Sequence, residues 1–344
     1  MSWTQAKNLL CIRLDTIGDV LMTTPALREL KSNAPDRKLT LLTSSAGAAI
    51  APYIPELDNS LVYDSPWLKA TAPRTSPQPE YDMIHLLRDR QFDGAVIFTV
   101  YSQNPLPSAF LCYLAGIPFR LAHCHENPYQ LLTDWIKDPE PDQGIRHEVQ
   151  RQLDLVAEIG CTTENQRLSL QVKASDRTQV SHLLDSLKLD RWLVMHTGAT
   201  APSRRYPPES FAAVADQLTL EHGYSIIFTG TSLERDLVPE IQSLMQAPSH
   251  SLVSRLSLGE LAALIEMAPV LISNNTGPVH IAAAVGTPVV DLYALTNPQH
   301  TPWQVPQRVL FHDVSCKYCY KSICPEHHHN CLQLVSPDRV VQST

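Results

Sequence analysis

The segment 272–293, ISNNTGPVHIAAAVGTPVVDLY, constrains the fold more than any other part of the chain. An apolar run with the length of a buried strand ends in a polar turn, and Pro278 then opens a run of small and apolar residues typical of a packed helix. Gly286 stops that helix, and 289–293 is strand-like again. A helix that begins at the carboxyl end of a strand lies where open α/β sheets bind ligands, and its free N–H groups favour an anion. The alternative is a unit of the same kind without a ligand.

A second unit of this kind lies near the other end of the chain. Residues 8–14 indicate a buried strand and 20–31 a helix that Thr24-Pro25 interrupts, and 39–43 indicates the next strand. The turn after the first strand lacks GxGxxG, so this is not a dinucleotide fingerprint. Because strands and helices alternate in both halves, the sequence predicts an α/β protein with two parallel, doubly wound sheets.

Length and composition divide the chain and limit its function. At 344 residues it fits two domains, and the polar stretch 161–190 predicts a boundary that gives domains 1–172 and 173–344. A formal charge of -8 argues against nucleic-acid binding. The N-terminus lacks the pattern of a secretory signal and no apolar run reaches membrane-spanning length, so we expect a cytoplasmic protein.

Charged residues follow several of the predicted strands. Asp19 lies in the first turn of the first helix. It would either stabilise the helix as a carboxylate near its N-terminus or act as a general base. Asp15 is a second candidate for each role. After the strand that ends at His196, the loop carries Ser203, Arg204 and Arg205, and guanidinium groups there suit a diphosphate. The alternative for these arginines is a solvated pair that contacts nothing.

Two further residues have a structural and a functional interpretation. Glu234 follows the next predicted strand and would either bind ribose hydroxyls or serve as a first-turn helix charge. His280 lies one turn into the helix of the opening segment, where a packed core histidine is the more common role.

Four cysteines are clustered near the C-terminus, namely Cys316, Cys319, Cys324 and Cys331. With the three histidines 327–329 between them, they have the ligand types of a structural zinc or iron–sulfur site, although the spacing fits neither a standard zinc finger nor a ferredoxin run. Reduced structural thiols are the alternative.

Three motifs together resemble glycosyltransferase family 9, the ADP-heptose:lipopolysaccharide heptosyltransferases and their relatives. They are RLDTIGDVLMTTPALRELK at 13–31, HTGATAPSRRYPPESFAAVADQL at 196–218 and SNNTGPVHIAAAVGTPVVDLY at 273–293. The resemblance implies the GT-B architecture, with two Rossmann-like domains facing a central cleft, and domain closure that brings the reacting groups together. It makes 1–172 the acceptor-side domain and 173–344 the nucleotide-sugar-binding domain.

The resemblance also implies roles for individual residues. Asp19 matches the GD motif and would be the base that deprotonates the acceptor hydroxyl. Arg204 lies where the family usually has Lys, and would hold the diphosphate and stabilise the leaving group beside Ser203 and Arg205. Glu234 resembles a ribose-contacting Glu. Thr276, Gly277 and His280 match a donor-binding motif, in which Asn275 stands where many relatives have Asp.

The implied activity is an inverting transfer of a sugar, such as a heptose from ADP-heptose, to a lipopolysaccharide-core, glycan or lipid-linked acceptor. The chemistry would need no metal or other cofactor, and a lipid-linked acceptor allows peripheral contact with the inner face of the membrane. Arg88, Arg120 and the long loops 65–80 and 122–142 are candidates for the acceptor side. Two other functions are consistent with the same motifs: a GT-B-type nucleotide-sugar isomerase or hydrolase, and a non-catalytic nucleotide-sugar-binding protein.

Overall fold

The computed structural model describes residues 2–68 and 71–344. Lys69 and Ala70, which belong to the loop expected over 65–80, lie outside the described residues. The chain forms two compact units, Met1–Ser169 and Leu170–Thr344. We call them the first and the second domain.

The first domain alternates strands and helices from its first strand onward. Its strands are β1 Asn8–Ile12, β2 Lys38–Thr43, β3 Asn59–Val62, β4 Gly94–Ile97, β5 Phe119–Cys124 and β6 Asp134–Lys137. Its helices are α1 Ile17–Ser32, α2 Ser45–Ala48, α3 Gln78–Asp89, α4 Leu106–Leu114 and α5 Glu148–Ala157, with a 3-10 turn at Ala51–Tyr53.

The second domain follows the same pattern. Its strands are β7 Trp192–His196, β8 Ser225–Thr229, β9 His250–Ser251, β10 Leu271–Asn274, β11 Val289–Leu292 and β12 Gln307–Leu310. Its helices are α6 Ala174–Leu187, α7 Pro208–Leu220, α8 Leu237–Leu244, α9 Leu258–Met267, α10 Gly277–Val285, α11 Asn330–Gln333 and α12 Pro337–Ser343, with 3-10 turns at Pro202–Arg204 and Ser232–Glu234.

Within the described residues, each domain has one six-stranded sheet, and the two sheets share one topology. The strand orders are β3-β2-β1-β4-β5-β6 and β12-β11-β10-β7-β8-β9. All the pairings are parallel, as the alternation of strands and helices predicts. Both orders are that of a Rossmann fold, in which the order of strand addition reverses between two central strands. These strands are β1 and β4 in the first sheet and β7 and β10 in the second, and a ligand crevice is expected at their carboxyl ends.

The central strands are buried on both faces, which explains why they consist of continuous apolar runs rather than alternating ones. β4 and β11 are buried throughout. Helices cover both faces, and α1 packs against α5 in the first domain. None of the described helices is long and apolar enough to cross a membrane.

Two expectations from the sequence are wrong. Helix α1 runs without interruption from Ile17 to Ser32 with Pro25 inside it. Proline cannot donate to the carbonyl four residues earlier, here that of Leu21, but the Thr24 hydroxyl donates to the Leu21 carbonyl instead, at 2.7 Å. The stretch 122–142 is not irregular throughout, because it contains the end of β5 and the edge strand β6.

Candidate functional site

The first candidate site lies where β1 and β4 end, at the crevice of the first domain. Asp15 follows β1 and Gln103 follows β4, and the Gln103 amide donates to Asp15 Oδ1 at 2.6 Å. Two cavities of about 650 and 330 Å³ open here, and both are lined by Leu14, Asp15, Leu68 and Gln103. Their sizes lie in the range of small-molecule sites.

Asp19 lies in the first turn of α1, beside this crevice. Its Oδ2 accepts hydrogen bonds from the Thr16 backbone N–H at 3.1 Å and from the Thr16 hydroxyl at 2.8 Å. Its Oδ1 accepts from Arg13 Nη2 at 3.2 Å. The side chain is 17% exposed. These contacts place a carboxylate in the first turn of α1, where it stabilises the helix start.

Arg13 is the centre of a buried ionic cluster that includes Asp19. Its guanidinium is fully buried and contacts three carboxylates: Nε lies 3.0 Å from Asp15 Oδ2, Nη2 3.2 Å from Asp19 Oδ1 and Nη1 2.7 Å from Glu148 Oε1. Burial raises the pKa values of Asp15 and Glu148, while the charge of Arg13 lowers both. The Gln152 amide also donates to Glu148 Oε1, at 2.5 Å.

In the second domain, the loop after β7 is fixed to the end of β10. The Asn274 amide donates to the Thr197 carbonyl at 2.7 Å, and Asn274 Oδ1 accepts from the Tyr206 N–H at 3.0 Å. This loop carries the 3-10 turn Pro202–Arg204. Asn274 therefore fixes the loop that carries Arg204 and Arg205. This loop lies at the carboxyl ends of β7 and β10, where the strand order predicts a ligand crevice.

The three loop residues selected from the sequence have different environments. Ser203 is buried, and its hydroxyl donates to the Lys321 carbonyl at 2.8 Å. The Arg205 side chain donates to the Ala199 carbonyl of its own loop at 2.8 Å. Arg204 is partly exposed. Burial raises the pKa of Tyr293, which follows β11, and the nearby positive charge of Arg204 lowers it. Arg204 thus provides a cation at the carboxyl edge of the sheet.

Helix α10 begins at the same edge. Thr276 is its N-cap residue, in an extended conformation and without a side-chain capping bond, and Pro278 lies in the first turn after Gly277. His280 is 4% exposed, so its ring is part of the packed interior. The uncapped N-terminus of α10 presents backbone N–H groups and the positive end of the helix dipole, which suit an anion.

Asn275, just before this helix, is held by its side chain. Its amide donates one hydrogen bond to Asp291 Oδ2 and one to the His300 carbonyl, each at 2.9 Å. Asn275 is 5% exposed and Asp291 is fully buried. Burial raises the pKa of Asp291 well above its usual range, against the effect of the Asn275 hydrogen bond. Both N–H donors of Asn275 are therefore used inside the domain.

Glu234 lies against the loop after β7. Its Oε2 accepts from the Thr231 N–H at 2.7 Å and from the Thr231 hydroxyl at 2.8 Å, so it has the helix-stabilising role. It also packs so closely on Gly198 that a Cβ there would lie 2.5 Å from Glu234 Oε1. The carboxylate thus reaches the residues that follow β7.

The metal site expected at Cys316, Cys319, Cys324 and Cys331 is not found. Over residues 2–68 and 71–344, no group of three or more His, Cys, Asp or Glu side chains is arranged to hold a metal ion. All four thiols are free, Cys324 is buried, and Cys331 packs against the core of the second domain. Backbone hydrogen bonds fix this segment instead, and they include Tyr318 N–H to the Leu295 carbonyl and Ser203 N–H to the Ser322 carbonyl. The alternative interpretation, reduced structural thiols, agrees with this packing.

Two of the acceptor-side candidates have structural partners. One Arg88 guanidinium nitrogen donates to the Leu114 carbonyl at 2.9 Å. The Arg120 guanidinium bonds backbone carbonyls, including that of Leu131 at 2.7 Å. Sequence reasoning missed Arg13 and Glu148. Arg13 could have been selected because it is a charged residue at the end of the apolar run 8–14. No sequence pattern indicates Glu148 as its partner, because the two residues are 135 positions apart.

Comparisons with known proteins agree with this structure. A model of the family described as glycosyltransferase family 9 (heptosyltransferase) matches residues 81–329. Lipopolysaccharide heptosyltransferase 2 of Escherichia coli (strain K12) is 25% identical over 349 residues, which cover 97% of this chain and 96% of the relative.

Two solved structures are similar over almost the whole chain. The glycosyl transferase family 9 protein of Veillonella parvula DSM 2008 superposes with a TM-score of 0.79 at 23% identity, covering 98% of this chain and 95% of that one. ADP-heptose lps heptosyltransferase II of E. coli gives a TM-score of 0.76 at 22% identity, covering 98% and 97%. The predicted fold class, two Rossmann-like domains of the GT-B type, is confirmed.

Proposed function

Since the chain belongs to glycosyltransferase family 9 and is a glycosyltransferase, we propose that it transfers a heptose from ADP-heptose to a lipopolysaccharide-core sugar with inversion at the anomeric carbon. The observation that carries this proposal is the placement of Asp19 and Arg204. Each lies at the carboxyl edge of its own parallel sheet, at the crevice where such sheets bind ligands. Both substrates are taken from the names of similar proteins, among them ADP-heptose lps heptosyltransferase II of E. coli.

The second domain would bind the donor. The diphosphate would contact the N–H groups of α10 at Thr276 and Gly277 and the guanidinium of Arg204, because both favour phosphate oxygens. Glu234, held against Gly198, would accept hydrogen bonds from the ribose hydroxyls. Asn275 and His280 would support the start of the helix from within rather than contact the donor.

The first domain would supply the base. Asp19 would take the proton of an acceptor hydroxyl as that oxygen forms its bond to the anomeric carbon. The bond from this carbon to the diphosphate breaks at the same time, and ADP leaves with its electron pair. Arg204 and the dipole of α10 would stabilise the negative charge that develops on the leaving group, so that no metal or cofactor takes part in the step.

The cavities beside Asp15 provide space for an acceptor in the first domain. If the acceptor sugar is linked to lipid, the enzyme would work in peripheral contact with the inner face of the membrane. A co-sedimentation experiment with vesicles that contain the glycolipid acceptor tests this part separately. Binding that depends on the acceptor supports it, and no binding removes it.

The test of the donor is a thermal-shift screen with ADP-, UDP- and GDP-sugars, because a ligand stabilises the folded state by mass action. We expect the largest rise in unfolding temperature with ADP-heptose. ADP release is then measured with and without a core oligosaccharide acceptor. ADP release that does not need the acceptor would indicate a hydrolase, and conversion of the ADP-sugar without ADP release would indicate an isomerase. Donor binding that leaves the ADP-sugar unchanged would indicate a non-catalytic binding protein.

A further inference from the structure

The Arg13 cluster places three carboxylates around one buried guanidinium, and each carboxylate has its own nitrogen atom. Asp15 and Asp19 are each 17% exposed at the crevice, whereas Glu148 is 1% exposed behind Arg13. A planar guanidinium can hold three groups in fixed directions, which a lysine ammonium on a flexible stem cannot do. The cluster therefore fixes the orientation of Asp15 and Asp19 from inside the domain.

We propose that Arg13 is the positioning residue for the Asp19 base, and that Glu148 maintains the basicity of Asp19 by sharing the charge of Arg13. This inference rests on the proposed function, because it assumes that Asp19 takes a proton during transfer. It concerns residues that do not contact the substrate. Arg13 and Glu148 act only through the carboxylates at the crevice.

The charges explain why the third carboxylate matters. A carboxylate paired with one arginine has its pKa lowered by about 1 to 3 units, which would make it a weak base. In this cluster one cation serves Asp15, Asp19 and Glu148. The neighbouring cation on α5, Arg151, is itself paired with buried acidic residues, Asp138 at 2.6 Å among them.

The carboxylates of the cluster are coupled to one another. Burial raises the pKa values of Asp15 and Glu148, the charge of Arg13 lowers both, and the negative charge of Asp19 raises both. With three carboxylates around one arginine, the attraction of Arg13 for Asp19 would be divided, and Asp19 would remain able to accept a proton from the acceptor.

Replacing Glu148 by Gln tests the charge. The variant keeps the size of the side chain and removes one negative charge, so Arg13 then acts on Asp15 and Asp19 alone. The pKa of Asp19 should fall, and the acidic limb of the kcat/KM profile should move to lower pH by roughly one unit. The carboxyl carbon signal of Asp19, assigned by its loss in Asp19→Asn, should titrate lower by the same amount in isotopically labelled protein.

Replacing Arg13 by Lys tests the geometry. The charge remains but the three-way contact is lost, so kcat should fall by about tenfold or more, because small misplacements of a reacting group slow transfer. Donor affinity, measured by the thermal shift with ADP-heptose, should stay at the wild-type value. Glu56→Gln is the matched control, since Glu56 is a buried carboxylate of the same domain that pairs with Arg28 at 3.2 Å. It should leave the pH profile and kcat unchanged.

The outcomes separate this inference from the proposed function. If the wild-type protein transfers no sugar but the Asp19 signal moves in Glu148→Gln, the proposed function fails and the charge sharing holds. An unmoved acidic limb and an unmoved Asp19 signal in Glu148→Gln would overturn the inference even if activity were reduced. Wild-type kcat in Arg13→Lys would overturn it as well, and this variant decides the question if Glu148→Gln does not fold.

Discussion

Replacing Asn275 by Asp in the second domain should create a conflict inside the protein. The Asn275 amide donates to Asp291 Oδ2 and to the His300 carbonyl, each at 2.9 Å, and the site is buried. An aspartate has no N–H group, so its oxygens would face two acceptors. Two carboxylates this close cannot both ionise.

The cost follows from the bonds that are lost. Two hydrogen bonds at about 1 kcal/mol each, together with about 1 to 3 kcal/mol for buried acceptors without a donor, give roughly 3 to 5 kcal/mol. For a domain of this size, that lowers the unfolding temperature by roughly 10 °C. The assay is thermal unfolding from pH 5 to pH 8, followed by circular dichroism.

The loss should depend on pH in a defined direction. In the variant, the carboxyl pair has a pKa above its value in the unfolded chain, so the folded state binds a proton more tightly. A bound proton also provides one O–H donor between the two carboxyl groups. The variant should therefore be least destabilised at pH 5, and its stability should decrease as the pH rises through the raised pKa.

A double variant and a control make this result specific. In Asn275→Asp with Asp291→Asn, the amide and the carboxylate change places, so the bond between them re-forms while the His300 carbonyl stays without its donor. Part of the lost stability should return. Asn33→Asp, at an exposed amide that donates to the Glu29 carbonyl at 3.0 Å, loses one hydrogen bond that water can replace, and should cost about 1 kcal/mol with no rise in stability towards pH 5 of the kind expected for the buried pair. Wild-type stability of Asn275→Asp at pH 8 would refute the reasoning.

Three further predictions concern the reaction. Asp19→Ala should lower kcat by about 10² to 10⁴-fold with donor affinity nearly unchanged, and unchanged turnover would remove Asp19 as the base. Arg204→Ala should weaken donor binding in thermal shifts and lower kcat/KM by roughly tenfold or more, since a charge-assisted hydrogen bond contributes about 1.5 to 3 kcal/mol; equal donor affinity would show that Arg204 does not hold the diphosphate. Gly198→Ala places a Cβ 2.5 Å from Glu234 Oε1, so the donor KM should rise in this variant and in Glu234→Gln, with the acceptor KM as the control. An unchanged donor KM would argue against a ribose contact.

The sequence predicted the parts of the fold that depend on local pattern. β7 ends at His196 as predicted, and the alternation of strands and helices is that of two parallel sheets. The edge strand β6 was missed because every second residue of it is exposed and no apolar run marks it. The local pattern predicts a break at Pro25, because it cannot show that the Thr24 hydroxyl supplies the donor that the proline lacks.

The candidate site was less predictable because its contacts join distant parts of the chain. Asp19, Arg204 and Glu234 were selected from their positions after predicted strands. Glu148 was not, since its contact with Arg13 exists only after α5 packs against α1. Asn275 was noted as a departure from the family motif, and the structure gives a physical reason for it: the carboxylate of Asp291 lies beside it and needs a donor.

The most direct test of a sugar transfer with Asp19 as the base is product analysis with ADP-heptose and a core oligosaccharide acceptor. Mass spectrometry of the acceptor and quantification of ADP are carried out on the wild-type protein and on Asp19→Ala. The proposed function predicts that the wild-type protein adds one heptosyl residue per ADP released, and that Asp19→Ala does neither while still binding the donor. ADP release with an unmodified acceptor, or equal product from Asp19→Ala, would contradict it.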